Sequence, residues 1–437
     1  MIELETRKQR ALVLQPREQS NAHIVDYELE EAVGLTEALE LDAVASEIVP
    51  IRDVRPNTYL AGGKVRELTD QIAADDIDVV VLNTSLTPIQ QRNLENALKA
   101  KVIDRQGLIL EIFALRAATA EGRLQVELAR QTYERTRLVR TWTHLERQRG
   151  GRGFLAGPGE RQIESDRRML DDRIARLRGK LQDVRRTRSL QRQKRQRAPE
   201  RIVALVGYTN AGKSTLFNAL TDGEVFAEDM LFATLDTTLR ILRLPNGKPC
   251  LLSDTVGFIS SLPTELVAAF QATLEEVKMA DLLLHVRDIH DTLSEERRED
   301  VLDVLDSLGA GPKHDQPTIE VWNKADLLTP AKRSELADAA SAMTSVSEPC
   351  YLVSAETGYG LEDLLLGIES ELSRSDATLE VHLEPAQLAA KAWLHDHGDV
   401  LHENVRSDGN ISLVARVTEA DAGKFAHRFP DVESRRA

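Results

Sequence analysis

One glycine-rich segment constrains this chain more than any other feature: residues 207–214 read GYTNAGKS. The segment fits G-x-x-x-x-G-K-[ST], and it lies between an apolar run of strand length (201–206) and a helix-compatible run (215–220). Backbone N–H groups of such a loop surround phosphates at a helix N-terminus, whose dipole favours anions. We expect Lys213 to reach the β- and γ-phosphates of a nucleotide and the Ser214 hydroxyl to ligate Mg²⁺. The predicted contacts of this loop are Gly207, Tyr208, Thr209, Asn210, Ala211, Gly212, Lys213 and Ser214.

Three shorter motifs follow the loop in an order and spacing that indicate a guanine nucleotide. The carboxylate of Asp254 can serve the Mg²⁺ side, and the Gly257 N–H can sense the γ-phosphate. An aspartate at position 326 can accept from the N1–H and 2-amino groups of guanine, a donor pair that adenine lacks. The motifs are Asp254-Thr255-Val256-Gly257, Asn323-Lys324-Ala325-Asp326 and Ser354-Ala355-Glu356. Together with the loop they predict a GTPase domain with Lys213, Asp254 and Gly257 in catalytic roles.

Two positions bear on hydrolysis. Ras-like enzymes use a glutamine after DxxG to orient the attacking water, and this chain has Phe258 there, so we predict slow intrinsic hydrolysis. Asn210 resembles the asparagine of K⁺-stimulated GTPases, and K⁺ beside it could stabilise developing phosphate charge. The alternative is that Asn210 only makes a hydrogen bond within the loop. The switch threonine lies between the loop and Asp254, and the residues themselves do not choose among Thr234, Thr237 and Thr238.

A basic segment lies within an otherwise acidic protein. Residues 121–197 contain 22 Lys/Arg and 10 Asp/Glu, a net charge of +12, whereas the remaining chain has 34 basic and 61 acidic residues. Apolar residues recur at heptad-like spacing on both sides of a glycine-dense segment, 150–160, that cannot continue a helix. The predicted seam before this segment is Leu124, Leu128, Leu138, Trp142 and Leu145, and the seam after it is Ile163, Leu170, Ile174, Leu177, Leu181 and Val184. The pattern predicts an antiparallel helical hairpin with a glycine-rich tip. Local positive charge favours nucleic acid phosphates, and a solvated structural coiled coil is the alternative.

The flanking regions predict two further units. Strand-like and helix-like runs alternate through the first 115 residues and indicate a small parallel α/β unit, with a helix expected over 30–44. The last 60 or so residues predict a strand-helix-strand-strand-helix order with a hairpin turn at 407–410. We therefore predict an α/β protein with four parts: 1–118, an α/β domain; 119–197, the basic hairpin; 198–373, a P-loop GTPase domain with a mostly parallel sheet; and 374–437, a small α+β domain.

Several segments of the chain resemble the HflX family of translation-associated GTPases. They include QQRNLENAL (90–98), DRQGLILEIFALRA (104–117), GPGERQIESDRR (157–168), VGYTNAGKSTLFNAL (206–220), LFATLD (231–236) and DTVGFI (254–259). The 157–168 segment plays no part in GTPase chemistry and distinguishes this family from other P-loop GTPases. Two positions depart from the family pattern: Thr237 replaces a common proline, and Arg287 replaces a small apolar residue, which indicates a local rearrangement.

The resemblance implies a cytoplasmic GTPase that binds GTP or GDP and acts on the ribosome. The expected partner is the large subunit with its rRNA, contacted by the hairpin, and the expected outcome is dissociation of stalled or idle ribosomes. The resemblance assigns the Mg²⁺ ligands to Ser214 and Thr234, gives Thr234 a catalytic role, and adds nucleotide contacts at Phe232, Ala233, Thr234, Leu235 and Asp236.

Other expectations limit the function. No run of about 18 apolar residues predicts a transmembrane helix, the N-terminal residues lack the apolar run of a signal peptide, and we expect a monomer that does not bind DNA. His395 and His397 are two residues apart and share no helix face, which disfavours a metal site. Cys250 and Cys350 are expected in the core.

Competing functions are an RNA-modification or ribosome-assembly GTPase and an RNA-binding switch. Gly62-Gly63-Lys64 is too short to form a second phosphate loop.

Overall fold

The computed structural model describes residues 7–18, 24–117, 119–148, 158–195, 201–221, 238–255, 257–259, 276–345, 349–374, 376–406 and 409–436. The chain begins with a four-stranded, wholly parallel sheet in the order β2-β1-β3-β4. Its strands are β1 Arg10–Arg17, β2 Asp42–Pro50, β3 Val79–Leu82 and β4 Lys101–Asp104. Its helices are α1 Val25–Ala38, α2 Gly62–Asp75, α3 Pro88–Leu98 and α4 Arg105–Arg116. The predicted parallel α/β unit is confirmed.

One helix of this unit was placed wrongly by the sequence pattern. The helix predicted over 30–44 begins earlier, at Val25, and ends at Ala38. Residues 42–50 instead pair in parallel with β1, so pairing across the sheet overrides the helical spacing of the apolar residues. The start of α3 is determined by residues that are adjacent in the chain. Pro88 occupies the first turn, and Thr87 forms a capping box with Gln90.

Two long helices follow, α5 Ala120–Gln148 (29 residues) and α6 Pro158–Arg195 (38 residues), and they pack against each other. At 1.5 Å per residue they span roughly 44 and 57 Å. The predicted glycine-rich tip, 150–160, overlaps the start of α6 at Pro158, since proline is tolerated in a first helical turn. The rest of the tip, 150–157, lies outside the described residues. The seam predicted on α6 is buried at Ile174, Leu177 and Leu181.

The seam predicted on α5 is shifted. Leu124 and Leu128 are only half-buried, whereas Val126 and Ala129 are buried. The reason is that α5 packs against α4 and α3 as well as against α6. One helix that serves two sets of neighbours cannot keep a single heptad stripe.

A six-stranded sheet in the order β10-β9-β8-β5-β7-β6 forms the centre of the protein. Every pair in it is parallel except β6–β7, as the mostly parallel prediction requires. Its strands are β5 Ile202–Val206, β6 Thr238–Arg243, β7 Pro249–Asp254, β8 Leu282–Asp288, β9 Thr318–Asn323 and β10 Cys350–Leu352. The described helices around it are α7 Lys213–Leu220, α8 Ser294–Leu308, α9 Pro330–Ser345 and α10 Leu361–Ser373.

The C-terminal unit is a four-stranded antiparallel sheet, in the order β12-β13-β11-β14, with two helices. It comprises β11 Ala377–Leu383, α11 Leu388–His397, β12 Gly398–Val405, β13 Ile411–Val417, α12 Glu419–Arg428 and β14 Glu433–Arg436. The predicted five-element order is present, but β14 adds an edge strand that the sequence did not predict. Its four residues are all exposed and polar, so no apolar alternation marks them.

The N-terminal and central units share one apolar cluster. Residues of β1 and α4, such as Val13 and Phe113, belong to the same buried cluster as Val301 and Leu305 of α8. Burial of about 25 cal/mol per Å² of apolar surface makes such a shared cluster a strong link between the units. Among the described residues, no helix is long and apolar enough to cross a bilayer.

Candidate nucleotide-binding site

The glycine-rich loop joins β5 to α7, and two of its glycines are required by close approach. A Cβ at Gly207 would lie 2.2 Å from the Val286 carbonyl oxygen, and a Cβ at Gly212 would lie 2.3 Å from Asn323 Nδ2. Gly212 and Asn210 also have positive φ angles, 86° and 59°. The loop therefore lies tightly against β8 and β9, and the exposed side chain of Asn210 is at its surface.

Lys213 is buried at the start of α7. Its Nζ donates to the Tyr208 carbonyl oxygen at 2.7 Å, across the loop. Burial lowers the pKa of Lys213 to about 8, and nearby Asp254 opposes that shift. The ammonium group therefore lacks the countercharge that would restore its usual pKa, and nucleotide phosphates would supply it.

Ser214 and Asp254 provide hard oxygen atoms suited to Mg²⁺. The Ser214 Oγ donates to Asp254 Oδ2 at 2.8 Å, where the end of β7 lies beside the start of α7. Mg²⁺ takes oxygen ligands and keeps several waters, so a hydroxyl with a carboxylate close behind it fits this ion. Thr255 anchors the same end of β7, since its Oγ1 donates to the Leu205 carbonyl at 2.5 Å.

The segment after Asp254 is docked on the loop through its backbone. The Phe258 N–H donates to the Gly207 carbonyl at 3.1 Å, and the Thr209 N–H donates to the Phe258 carbonyl at 2.7 Å. A Cβ at Gly257 would lie 3.0 Å from Lys213 Nζ. The Phe258 ring is 3% exposed and belongs to the apolar cluster shared with the N-terminal unit. The Phe258 ring therefore lies in this cluster and not at the phosphate site.

The two predicted base-recognition motifs meet at Asn323. Its Nδ2 donates to the Ala211 carbonyl at 2.9 Å, and its Oδ1 accepts from the Ala355 N–H at 3.0 Å. Asp326 is exposed, and its Oδ1 accepts from Ser354 Oγ at 2.6 Å. Asn323 therefore connects the phosphate loop with the segment that begins at Ser354. The Asp326 carboxylate remains at the surface.

The remaining residues of these motifs have supporting positions. Lys324 has a positive φ of 65° and pairs with Asp288 at 2.8 Å. The Ala325 N–H donates to the Val353 carbonyl, and Glu356 is exposed.

Part of the predicted site lies outside the described residues. This applies to Phe232, Ala233, Thr234, Leu235, Asp236 and Thr237 and to Val256. Of the three candidate switch threonines, only Thr238 is described. It opens β6, directly opposite Asp254 in the β6–β7 pairing.

The sequence did not predict that the loop also contacts the N-terminal unit. The Tyr208 hydroxyl donates to Glu31 Oε1 on α1 at 2.6 Å. The Arg297 guanidinium of α8 lies over both the Tyr208 and Tyr27 rings, 4.4 and 4.6 Å from their centroids. The only sequence feature that could have indicated this contact is the large side chain of Tyr208 within a glycine-rich loop.

Arg287, which departs from the family pattern, takes part in a local ion network. Its guanidinium contacts Glu295 at 2.7 Å and Glu320 at 3.5 Å. Glu320 also accepts from His285 at 2.9 Å, and this surrounding positive charge lowers the pKa of Glu320 to about 2 against the opposing effect of burial.

The other histidines and the cysteines have structural environments. His397 stacks on Trp393 with ring centroids 4.2 Å apart, and His395 contacts Glu403 at 3.2 Å. Among the described residues, no cluster of three or more His, Cys, Asp or Glu side chains could hold a metal ion. Cys250 and Cys350 are both buried, as expected.

Four family models together match nearly the whole chain. They are described as GTP-binding GTPase N-terminal (26–114), GTP-binding GTPase Middle Region (116–195), 50S ribosome-binding GTPase (202–324) and HflX C-terminal domain (339–437).

Individual proteins agree with these matches. The chain is 49% identical to GTPase HflX of Magnetococcus marinus over 91% of this chain and 89% of that protein. It is 43% identical to GTPase HflX of Escherichia coli over 86% of each. A crystal structure described as an SsGBP and GDP complex has 24% identity and a TM-score of 0.50, and the match covers 84% of this chain and 99% of that one. That likeness supports the fold alone.

Proposed function

The chain belongs to the HflX family of GTPases, and from that premise we propose that it acts on the large ribosomal subunit and promotes the dissociation or rescue of stalled or idle ribosomes. One observation carries the proposal. The long helices α5 and α6 are fixed to the unit that touches the phosphate loop. Tyr133 and Arg137 of α5 both contact Asp104 at the end of β4, and the Tyr133 hydroxyl does so at 2.8 Å.

The hairpin surface supports an RNA partner. Along the described part of α6, basic side chains are exposed on several helix faces: Arg167, Arg168, Arg173, Arg176, Arg178, Lys180 and Arg186. Basic side chains on a protruding element neutralise phosphates and make binding fall steeply with salt. We propose that this surface contacts rRNA of the large subunit. We also propose that the protein is a cytoplasmic monomer and does not bind DNA.

In the proposed mechanism, loop N–H groups and Lys213 hold the β- and γ-phosphates, and the Gly257 N–H senses the γ-phosphate. Ser214 and Thr234 would hold Mg²⁺, with Asp254 behind Ser214, and the bound ion would supply positive charge that offsets the charge of the phosphates. Asp326 accepts from the guanine edge, and the 354–356 segment and residues 232–236 complete the nucleotide contacts. Because the Phe258 ring is buried, we propose slow hydrolysis until the ribosome supplies a group that orients water.

The first experiment compares GTP turnover with and without large subunits at fixed Mg²⁺ and KCl, and follows separation of 70S ribosomes by light scattering. We expect strong stimulation of turnover and GTP-dependent separation. Arg176→Ala combined with Arg178→Ala should reduce stimulation. Lys313→Ala combined with Lys332→Ala is the matched control, because it removes two exposed basic residues from the central unit. Equal turnover with and without subunits would contradict the proposal.

The alternative function is a ribosome-assembly or RNA-binding switch that does not separate subunits. The buried Phe258 ring favours it, because a slow GTPase can set RNA affinity through its bound nucleotide. Binding of large subunits without separation of 70S ribosomes would identify this alternative.

We also propose that K⁺ assists hydrolysis beside Asn210, whose exposed side chain lies at the loop surface. Turnover should be faster in KCl than in NaCl at equal ionic strength. Equal rates in the two salts would refute a role for the cation.

A further inference from the structure

Tyr208 faces two ways in the phosphate loop. Its carbonyl oxygen accepts from Lys213 within the loop, whereas its side chain extends to the N-terminal unit and donates to Glu31 at 2.6 Å. Tyr208 is 5% exposed and Glu31 is 7% exposed. The two residues are 177 positions apart in the chain. This contact therefore fixes the loop backbone, at the residue that holds Lys213, to another folded unit.

Glu31 continues this connection towards the hairpin. Its second carboxylate oxygen accepts from Arg105 Nη2 at 3.0 Å, in an ion pair that is nearly buried on both sides. Arg105 opens α4 directly after Asp104, and Asp104 is the carboxylate that Tyr133 and Arg137 of α5 contact. A short series of polar contacts thus runs from the phosphate loop to the base of the hairpin.

The contact is costly to break, because a buried carboxylate needs its partners. A hydrogen bond to a charged group inside a protein is stronger than one between neutral groups, and an orphaned buried acceptor is unfavourable. The loop cannot move away from Glu31 without that loss. A nucleotide that fixes the loop must therefore stabilise the docked N-terminal unit by the same factor by which docking strengthens nucleotide binding.

We propose that Tyr208 is a positioning residue that couples nucleotide binding at the phosphate loop to docking of the N-terminal unit and its hairpin, through its hydroxyl contact with Glu31. The extension of this coupling to the ribosome rests on the proposed function. The contact holds the loop in the shape that receives phosphates. Its removal weakens nucleotide binding and disconnects the loop from the hairpin base.

The chain offers a matched control in Tyr27. The Tyr27 and Tyr208 rings both contact the same Arg297 guanidinium. The Tyr27 hydroxyl is buried but has no hydrogen-bond partner among the described residues. Tyr27→Phe therefore makes the same chemical change in the same stack without removing a hydrogen bond.

The first test measures fluorescent GDP affinity of the full chain in a double-mutant cycle. We expect Tyr208→Phe and Glu31→Ala each to raise the Kd about fivefold, with no further increase in the double variant. Glu31→Gln retains an oxygen acceptor and should lie closer to the wild type, and Tyr27→Phe should stay within about twofold of it. Additive effects, or an equal change in Tyr27→Phe, would overturn the coupling.

The second test measures hydrogen exchange of the α1 amides with and without GDP. In the wild type GDP should slow exchange about fivefold, and in Tyr208→Phe it should have no effect; the same GDP protection in both proteins would refute the proposal. Neither test uses ribosomes. If wild-type turnover is not stimulated by large subunits, the proposed function fails and these two results still decide the coupling.

Discussion

Replacing Phe258 by glutamine restores the residue type that orients water in Ras-like enzymes, yet we expect the change to impair the protein. The ring is 3% exposed within the apolar cluster that also contains Tyr208 and Ile259. Loss of a buried phenylalanine costs about 2–3 kcal/mol, and burial of an amide without partners adds about 1–3 kcal/mol. We therefore expect Phe258→Gln to lower the free energy of unfolding by about 3–6 kcal/mol.

Thermal unfolding and GTP turnover together test this expectation. For a unit of this size, about 3–6 kcal/mol lowers the midpoint of thermal unfolding by roughly 10–20 °C. Basal turnover should not rise, because the amide would enter the apolar cluster and not the phosphate site. Phe258→Leu is the control, since it stays apolar and should cost only about 1 kcal/mol. A Phe258→Gln variant as stable as the wild type, with several-fold faster hydrolysis, would show that this side chain leaves the cluster when GTP binds.

Three further changes have calculable effects. The pKa of Lys213 is about 8 without nucleotide, so GDP affinity should fall as pH rises above 8, by up to about tenfold per pH unit. Fluorescent GDP titrations from pH 7 to 9.5 measure this pH dependence, which Lys213→Arg should remove. Asn323→Ala leaves two buried backbone groups without their partner and should cost about 2–4 kcal/mol in urea unfolding, whereas Asn246→Ala, on an exposed turn, should cost under about 1 kcal/mol. Tyr133→Phe removes the contacts of the Tyr133 hydroxyl with both carboxylate oxygens of Asp104, and it should lower the free energy of unfolding by about 1.5–3 kcal/mol in thermal unfolding.

The parts of the fold that sequence predicted are those encoded locally. The loop at 207–214 needs glycines at fixed positions because neighbouring strands approach within 2.2–2.3 Å of a Cβ there. The parallel N-terminal sheet likewise follows from strand-like and helix-like runs that alternate along the chain. Motif spacing then fixes which strand ends meet, since the carboxyl ends of parallel strands share one edge of a sheet.

The errors arose where distant contacts decide the structure. The apolar spacing over 30–44 fits a helix, but residues 42–50 gain more by pairing with β1. The burial of Val126 in place of Leu124 reflects a second packing partner for α5. The polar strand β14 forms because β11 has an edge to pair with, not because its own sequence favours a strand.

Phe258 shows most clearly what local sequence omits. Its identity predicted that no glutamine would orient water, but not that the ring enters the cluster joining the central and N-terminal units. The same residue holds the phosphate loop through its backbone, at Gly207 and Thr209. Tyr208, between those two loop residues, enters the same cluster and contacts Glu31. A displacement of the N-terminal unit would therefore disturb both the loop and the segment that follows Asp254. A change at the interface between the units should thus also change the site for the γ-phosphate.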